Sequence, residues 1–106
     1  MALVISNSHS RVGAFCIVNT KASLSHDSRM GDFSSLGPNA TLGGNVTVGK
    51  FTAIALGANV IHGVAIGEHT VVGAGATVVK DVPSYVVAYG TPARVVRPRQ
   101  AGDSYL

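Results

Sequence analysis

The sequence predicts an all-β protein wound as a three-sided parallel β-helix. Three observations carry that expectation: a strict six-residue period of large aliphatic residues, a small residue two places before each, and a composition rich in glycine and β-branched residues but poor in charge. Steps of six from Val12 meet Val18, Leu24, Met30, Leu36, Leu42, Val48, Ile54, Val60, Ile66, Val72 and Val78. Val, Ile, Leu and Met are 29 of the 106 residues, so chance would supply such a run with a probability of about 10⁻⁷ at a fixed phase, far too rare for coincidence. The small partners are Ser10, Cys16, Ala22, Ser28, Ser34, Ala40, Val46, Thr52, Ala58, Val64, Thr70 and Ala76. Glycine follows the aliphatic residue at 13, 31, 37, 43, 49, 67 and 73.

Each hexad reads as one short strand and one corner. The large residue and the small one two places earlier share the inward face, and the following glycine is expected to allow the bend. So small a unit cannot close a core alone, so copies must stack. Three hexads make an 18-residue coil, giving four coils: Val12–Arg29, Met30–Thr47, Val48–Ala65 and Ile66–Pro83. Residues 1–11 are expected to form a partial N-terminal coil or cap, 12–83 the β-helix, and 84–106 an exit strand and tail. The apolar Ala2-Leu-Val-Ile end would serve as a lid or as a surface where assemblies meet. The period leaves the hand of the winding open; parallel crossovers are right-handed in about 98% of cases.

Composition narrows the function. Charged residues are 12% and apolar residues 46%, which fits a chain that hides its backbone in tight sheets or an oligomer. The net charge of +3 includes no basic run interleaved with aromatics, so no nucleic-acid partner is expected. No apolar run approaches the roughly 20 residues of a membrane span, and the N-terminus lacks the pattern of a signal peptide; the expected compartment is the cytoplasm. The one cysteine, Cys16, excludes an internal disulfide framework and a Cys-rich zinc site.

Residues 18 apart should stack in outward columns. Phe15, Phe33, Phe51 and His69 form one, containing every Phe of the chain. It reads as an aromatic ladder holding its own coils, as a stripe buried against another subunit, or as both. His26, Gly44, His62 and Lys80 form another. Two rungs place its histidines about 9.6 Å apart by strand spacing, too far to share a zinc ion within one chain.

Ile17-Val-Asn-Thr-Lys-Ala-Ser-Leu-Ser-His26-Asp27-Ser-Arg-Met-Gly-Asp resembles the active-site coil of the hexapeptide-repeat acyltransferases, in particular the sialic acid O-acetyltransferase and bacillosamine-pathway sugar N-acetyltransferase subgroup. Gly43-Gly-Asn-Val-Thr-Val-Gly, Val72-Gly-Ala-Gly-Ala-Thr-Val-Val-Lys80-Asp-Val-Pro and Tyr89-Gly-Thr-Pro-Ala-Arg94 resemble the coils and exit strand along which that family lays acyl-CoA. The resemblance implies a left-handed winding, a homotrimer with sites between subunits, and acetyl-CoA as co-substrate with no metal. A hexamer formed by N-terminal stacking is a further expectation. By resemblance His26 is the general base and Asp27 raises its basicity; Ser35 and Leu56 border the CoA arm, with Gly57, Gly75, Lys80 and Arg94 as further CoA contacts. A neutral imidazole suits removal of a proton from an attacking hydroxyl or amine. Without the resemblance, His26 reads as an exposed corner residue with Asp27 simply solvated, rather than as a base, and Cys16 as an inert inward thiol.

Two departures shape the expectation. Ser35 stands where close relatives often place a second His near the acetyl group. The chain also begins almost inside the coils, without the N-terminal α/β domain that grips the acceptor in those enzymes, so its acceptor is expected to be smaller, held differently, or absent. Two other functions compete: a non-catalytic scaffold that at most binds CoA, and a γ-type carbonic anhydrase. The latter wants two His about five apart, whereas His62 and His69 are seven apart.

Overall fold

The structure, a computed structural model, describes residues 4–6 and 11–100; the expectations for the remainder of residues 1–11, and for the tail beyond residue 100, lie outside the described residues. Three parallel sheets form the sides of a prism. The first contains β1 (Val4–Ser6), β4 (Ala22–Leu24), β7 (Thr41–Leu42), β10 (Asn59–Val60) and β13 (Thr77–Val78) in that order. The second contains β2 (Arg11–Val12), β5 (Arg29–Met30), β8 (Thr47–Val48) and β11 (Ala65–Ile66). The third runs β3 (Ile17–Val18), β6 (Ser35–Leu36), β9 (Ala53–Ile54), β12 (Val71–Val72), β14 (Val86–Gly90) and β15 (Ala93–Pro98), the last antiparallel to its neighbour. The described residues contain no helix long and apolar enough to cross a membrane.

The eighteen-residue register holds through the coils. Leu24 pairs with Leu42, Leu42 with Val60 and Val60 with Val78. Eleven of the twelve periodic aliphatics are buried; Val12, on the edge strand of the second sheet, is exposed. Small residues beside them complete the core, and those with hydroxyls satisfy them on neighbouring corners. Ser28 Oγ donates to the Gly43 carbonyl (2.7 Å), Thr52 Oγ1 to that of Gly67 (2.6 Å) and Thr70 Oγ1 to that of Pro83 (2.8 Å). A polar atom at these inward positions is thereby relieved of its desolvation cost.

The corners correct one expectation. The glycines that follow the aliphatic residues do not make the bend. At each of eleven successive corners the left-handed residue lies two places later, from Phe15 through Lys21, Asp27, Phe33, Asn39, Asn45, Phe51, Gly57, Gly63 and His69 to Gly75. Only three of these are glycine. The earlier glycines are required by coil stacking: a Cβ on Gly31 would lie 2.6 Å from the Lys50 amide nitrogen, and one on Gly37 2.7 Å from that of Leu56. No side chain fits at such distances.

At the corner between the second and third sheets, every rung carries a ring. Phe15, Phe33, Phe51 and His69 stack with centroids 5.1, 5.0 and 4.8 Å apart, within 13° of parallel. Tyr85 adds a fifth ring 4.8 Å beyond His69. It stands sixteen residues after His69 because the last coil is short: Val71 pairs with Val87.

Candidate functional site

His26 and Asp27 occupy the corner between the first and second sheets. Leu24 ends β4 inside the prism and Ser28 turns inward again; of the three polar residues between them, Ser25 is half-buried and His26 and Asp27 are exposed. The His26 carbonyl accepts a hydrogen bond from the Asn45 amide at 3.0 Å, pinning the corner to the next coil. Asp27 takes the left-handed conformation, φ 58°, which a short polar side chain tolerates better than most. Its Oδ2 lies 3.4 Å from His26 Nδ1, a long hydrogen bond, and both side chains are at least half exposed. With Nδ1–H donating to the carboxylate, the lone pair is left on Nε2, facing solvent.

Gly44 decides what lies beside that nitrogen. It is the next rung of the same column, and a Cβ there would stand 2.7 Å from His26 Nε2 and 3.2 Å from His62 Nδ1. The missing side chain lets the two imidazoles lean together, their centroids 6.4 Å apart and their planes tilted by 49°. The separation drawn from strand spacing is thus corrected: backbones two rungs apart carry rings much closer than that. Among the described residues no group of three or more His, Cys, Asp or Glu comes together to hold a metal ion. His62 and His69 sit on different corners.

A cavity of about 240 Å³ opens on the third sheet, toward the corner where that sheet meets the first. Ser35, Ala53 and Val71, one rung apart on the outward face, floor it; Asn19 and Tyr89 flank it. Its room comes from small residues, Gly37, Ala55 and Ala74. Strands with alanine where larger side chains would stand leave backbone accessible to a slender, largely apolar ligand.

Of the residues singled out from the sequence, Ser35 lines this cavity. Leu56, Gly57 and Gly75 lie at the corner beside it, outside its wall; Leu56 is exposed and both glycines are left-handed with open space beyond them. Lys80 is exposed at the histidine corner, and Arg94 is exposed in β15. His26 and Ser35 are not brought together. The histidine corner joins the first and second sheets, and the cavity lies on the third, the opposite side of the prism. Tyr89, which opens the exit-strand motif, flanks the cavity, whereas Asn19, Ala53 and Ala55 are not singled out by the sequence. The available signal was the line of small residues at positions facing outward.

No family model and no curated protein matches the sequence. Solved structures do. Superposition on PerB from Caulobacter crescentus, solved with CoA and GDP-perosamine, gives a TM-score of 0.79 at 35% identity over 88% of this chain and 54% of that one. The serine acetyltransferase of Neisseria gonorrhoeae matches with a TM-score of 0.87 at 25% identity, covering 92% of this chain and 41% of that one. The fold is that of the hexapeptide-repeat acetyltransferases. Agreement this close across the coils sets the winding as left-handed, because a right-handed coil is the mirror path and would not superpose. The acetyltransferase domain of PglB from Neisseria gonorrhoeae FA1090, solved with acetyl coenzyme A, shares the fold: TM-score 0.77, 24% identity, 88% of this chain and 54% of that one. The chain spans about half the length of the solved proteins it matches.

Proposed function

We propose that this chain forms the β-helix of an acetyl-CoA-dependent acetyltransferase that acetylates a hydroxyl or amine of a sugar-like small molecule, at sites shared between subunits of a homotrimer. The observation that carries the reading is the His26–Asp27 pair, an exposed imidazole with its Nδ1 held by a carboxylate and its Nε2 cleared of neighbours by Gly44. The 35% identity to PerB, whose crystals hold CoA and a nucleotide sugar, supports the donor and the acceptor class.

In this reading Nε2 of His26 takes the proton of the acceptor O–H or N–H as the acceptor attacks the thioester carbonyl carbon. The C–S bond then breaks, the acetyl group stays on the acceptor, and CoA leaves as its thiol after taking a proton. Asp27 orients the ring and favours the imidazolium that forms. Ser35 borders the pantetheine arm in the alanine-lined cavity, with Leu56, Gly57 and Gly75 along the adjoining corner; Arg94 meets the phosphates from the same chain and Lys80 from the neighbouring subunit whose histidine corner faces the cavity. The imidazole and the cavity occupy opposite sides of one prism, so the site is built by setting the histidine corner of one subunit against the third sheet of another.

The test is thiol release from acetyl-CoA across a panel of amino sugars, sugars and small alcohols, for wild type and His26→Ala, with mass by light scattering. The reading expects turnover that His26→Ala removes, in a particle of three chains or a multiple of three. Turnover indifferent to His26→Ala, or a stable monomer at micromolar concentration, contradicts it. CoA binding without turnover in either protein would favour a scaffold.

A further inference from the structure

We infer that His26 and His62 together form a chelating site for a late first-row divalent cation, of the Ni²⁺, Cu²⁺ or Zn²⁺ class, in the space left by Gly44. Three observations converge on it. First, a Cβ on Gly44 would stand 2.7 Å from His26 Nε2, 2.9 Å from its Cε1 and 3.2 Å from His62 Nδ1, so both rings border one gap that the side chain of any residue but glycine would occupy. Second, Asp27 Oδ2 stands against His26 Nδ1 at 3.4 Å. That is the carboxylate–imidazole arrangement which fixes the tautomer of a metal-binding histidine and strengthens its free nitrogen as a ligand. Third, both rings are exposed on backbones held by the coil ladder, so side-chain rotation alone closes them onto one ion, at the roughly 2.1 Å that imidazole ligation needs.

Chemistry selects the cation. Two neutral imidazoles with open positions left for water suit nickel, copper and zinc, and disfavour magnesium and calcium, which want oxygen. Two protein ligands make an exchangeable site rather than a structural one. Lys80 continues the column beyond His62 and opposes a cation there; Asp27, behind His26, offsets it. The site also has a consequence that rests on the function proposed above. An ion on Nε2 of His26 occupies the lone pair that would accept the acceptor's proton, so the bound metal inhibits transfer.

The experiment uses the purified full chain stripped with chelator, titrated with NiCl₂ by calorimetry and with CuCl₂ by electron paramagnetic resonance. The expected result is one ion per chain whose copper spectrum shows coupling to two imidazole nitrogens. His26→Ala and His62→Ala should each weaken nickel binding about a hundredfold, the loss expected when a two-point attachment becomes one-point. His62→Gln, a second isosteric variant, should behave like His62→Ala, and circular dichroism checks the fold of each. His69→Ala, at the aromatic corner, should bind as wild type does. Equal affinity in wild type, His26→Ala and His62→Ala, or coupling to a single nitrogen, overturns the site. A separate arm measures thiol release: nickel should inhibit at the concentration that fills the site, and His62→Ala, which keeps the base, should need about a hundredfold more. A chain that turns nothing over but binds the ion through both histidines removes the function and leaves the site standing.

Discussion

Two corners of the same prism do opposite things with their rings. At the aromatic corner Phe15, Phe33, Phe51, His69 and Tyr85 fill five successive rungs, and the faces of the rings are spent on one another. At the histidine corner the rung between His26 and His62 is Gly44, so the two rings tilt toward the gap it leaves instead of stacking on a neighbour. One coil geometry therefore yields a stacked ladder where the column is unbroken and a pair of tilted, exposed imidazoles where a single side chain is missing. His69 makes the comparison sharp: it is an imidazole absorbed into a stack, whereas His26 is an imidazole held out of one.

The largest effect belongs to His26→Ala, expected to reduce thiol release by about 10²–10⁴, the range for loss of a general base, with little change in melting temperature because the side chain is exposed. Next is Gly44→Ala. Its methyl falls 2.7 Å from His26 Nε2, so the ring must swing away; a displacement of that order is expected to cost up to about a hundredfold in rate while the coils survive. Equal activity in Gly44→Ala and wild type would show that the cleared space has no role. At the aromatic corner, Phe33→Ala removes two stacked contacts yet keeps the left-handed backbone cost, since Ala bears it as Phe does. Chemical denaturation should show a loss of about 1–3 kcal/mol, at the low end because Phe33 is half exposed, with thiol release unaffected. Phe33→Asn should recover part of that loss, because Asn accepts positive φ more readily. The smallest effect is Gly57→Ala. Nothing crowds a Cβ there, so the change tests backbone conformation alone and should cost about 1 kcal/mol in the same measurement.

The winding was legible because every hexad repeats one instruction. Inward aliphatics at a fixed period allow one register, and the pairing of Leu24, Leu42, Val60 and Val78 follows that period. Tyr85 escaped it because a coil two residues short carries no mark in a count of eighteens. Val12 keeps the period but not the burial, since it lies on an edge strand. The role of the glycines was misread for a physical reason. A residue without a side chain serves equally for a left-handed bend and for close stacking, and only coordinates show which constraint applies; here Phe, Asn, Asp, Lys and His make most of the bends. The His26–Asp27 pair was visible as adjacent letters. The approach of His62 was not, because it depends on how two rings tilt across an absent side chain. The cavity was hardest to foresee: Ala53, Ala55 and Ala74 look like ordinary small residues until the third sheet shows that they share a floor and a rim.

The central claim is that the imidazole of one subunit works on a donor held by another. Its most direct measurement is complementation between two variants that fail for different reasons. His26→Ala lacks the base, and Ala53→Trp fills the cavity that Ala53 floors. Each alone should be inactive in thiol release; co-assembled in equal amounts they should recover about a quarter of wild-type activity, the share of randomly mixed interfaces that unite an intact histidine with an intact cavity. Mixed oligomers with no recovered activity, beside an active wild type, would contradict the account.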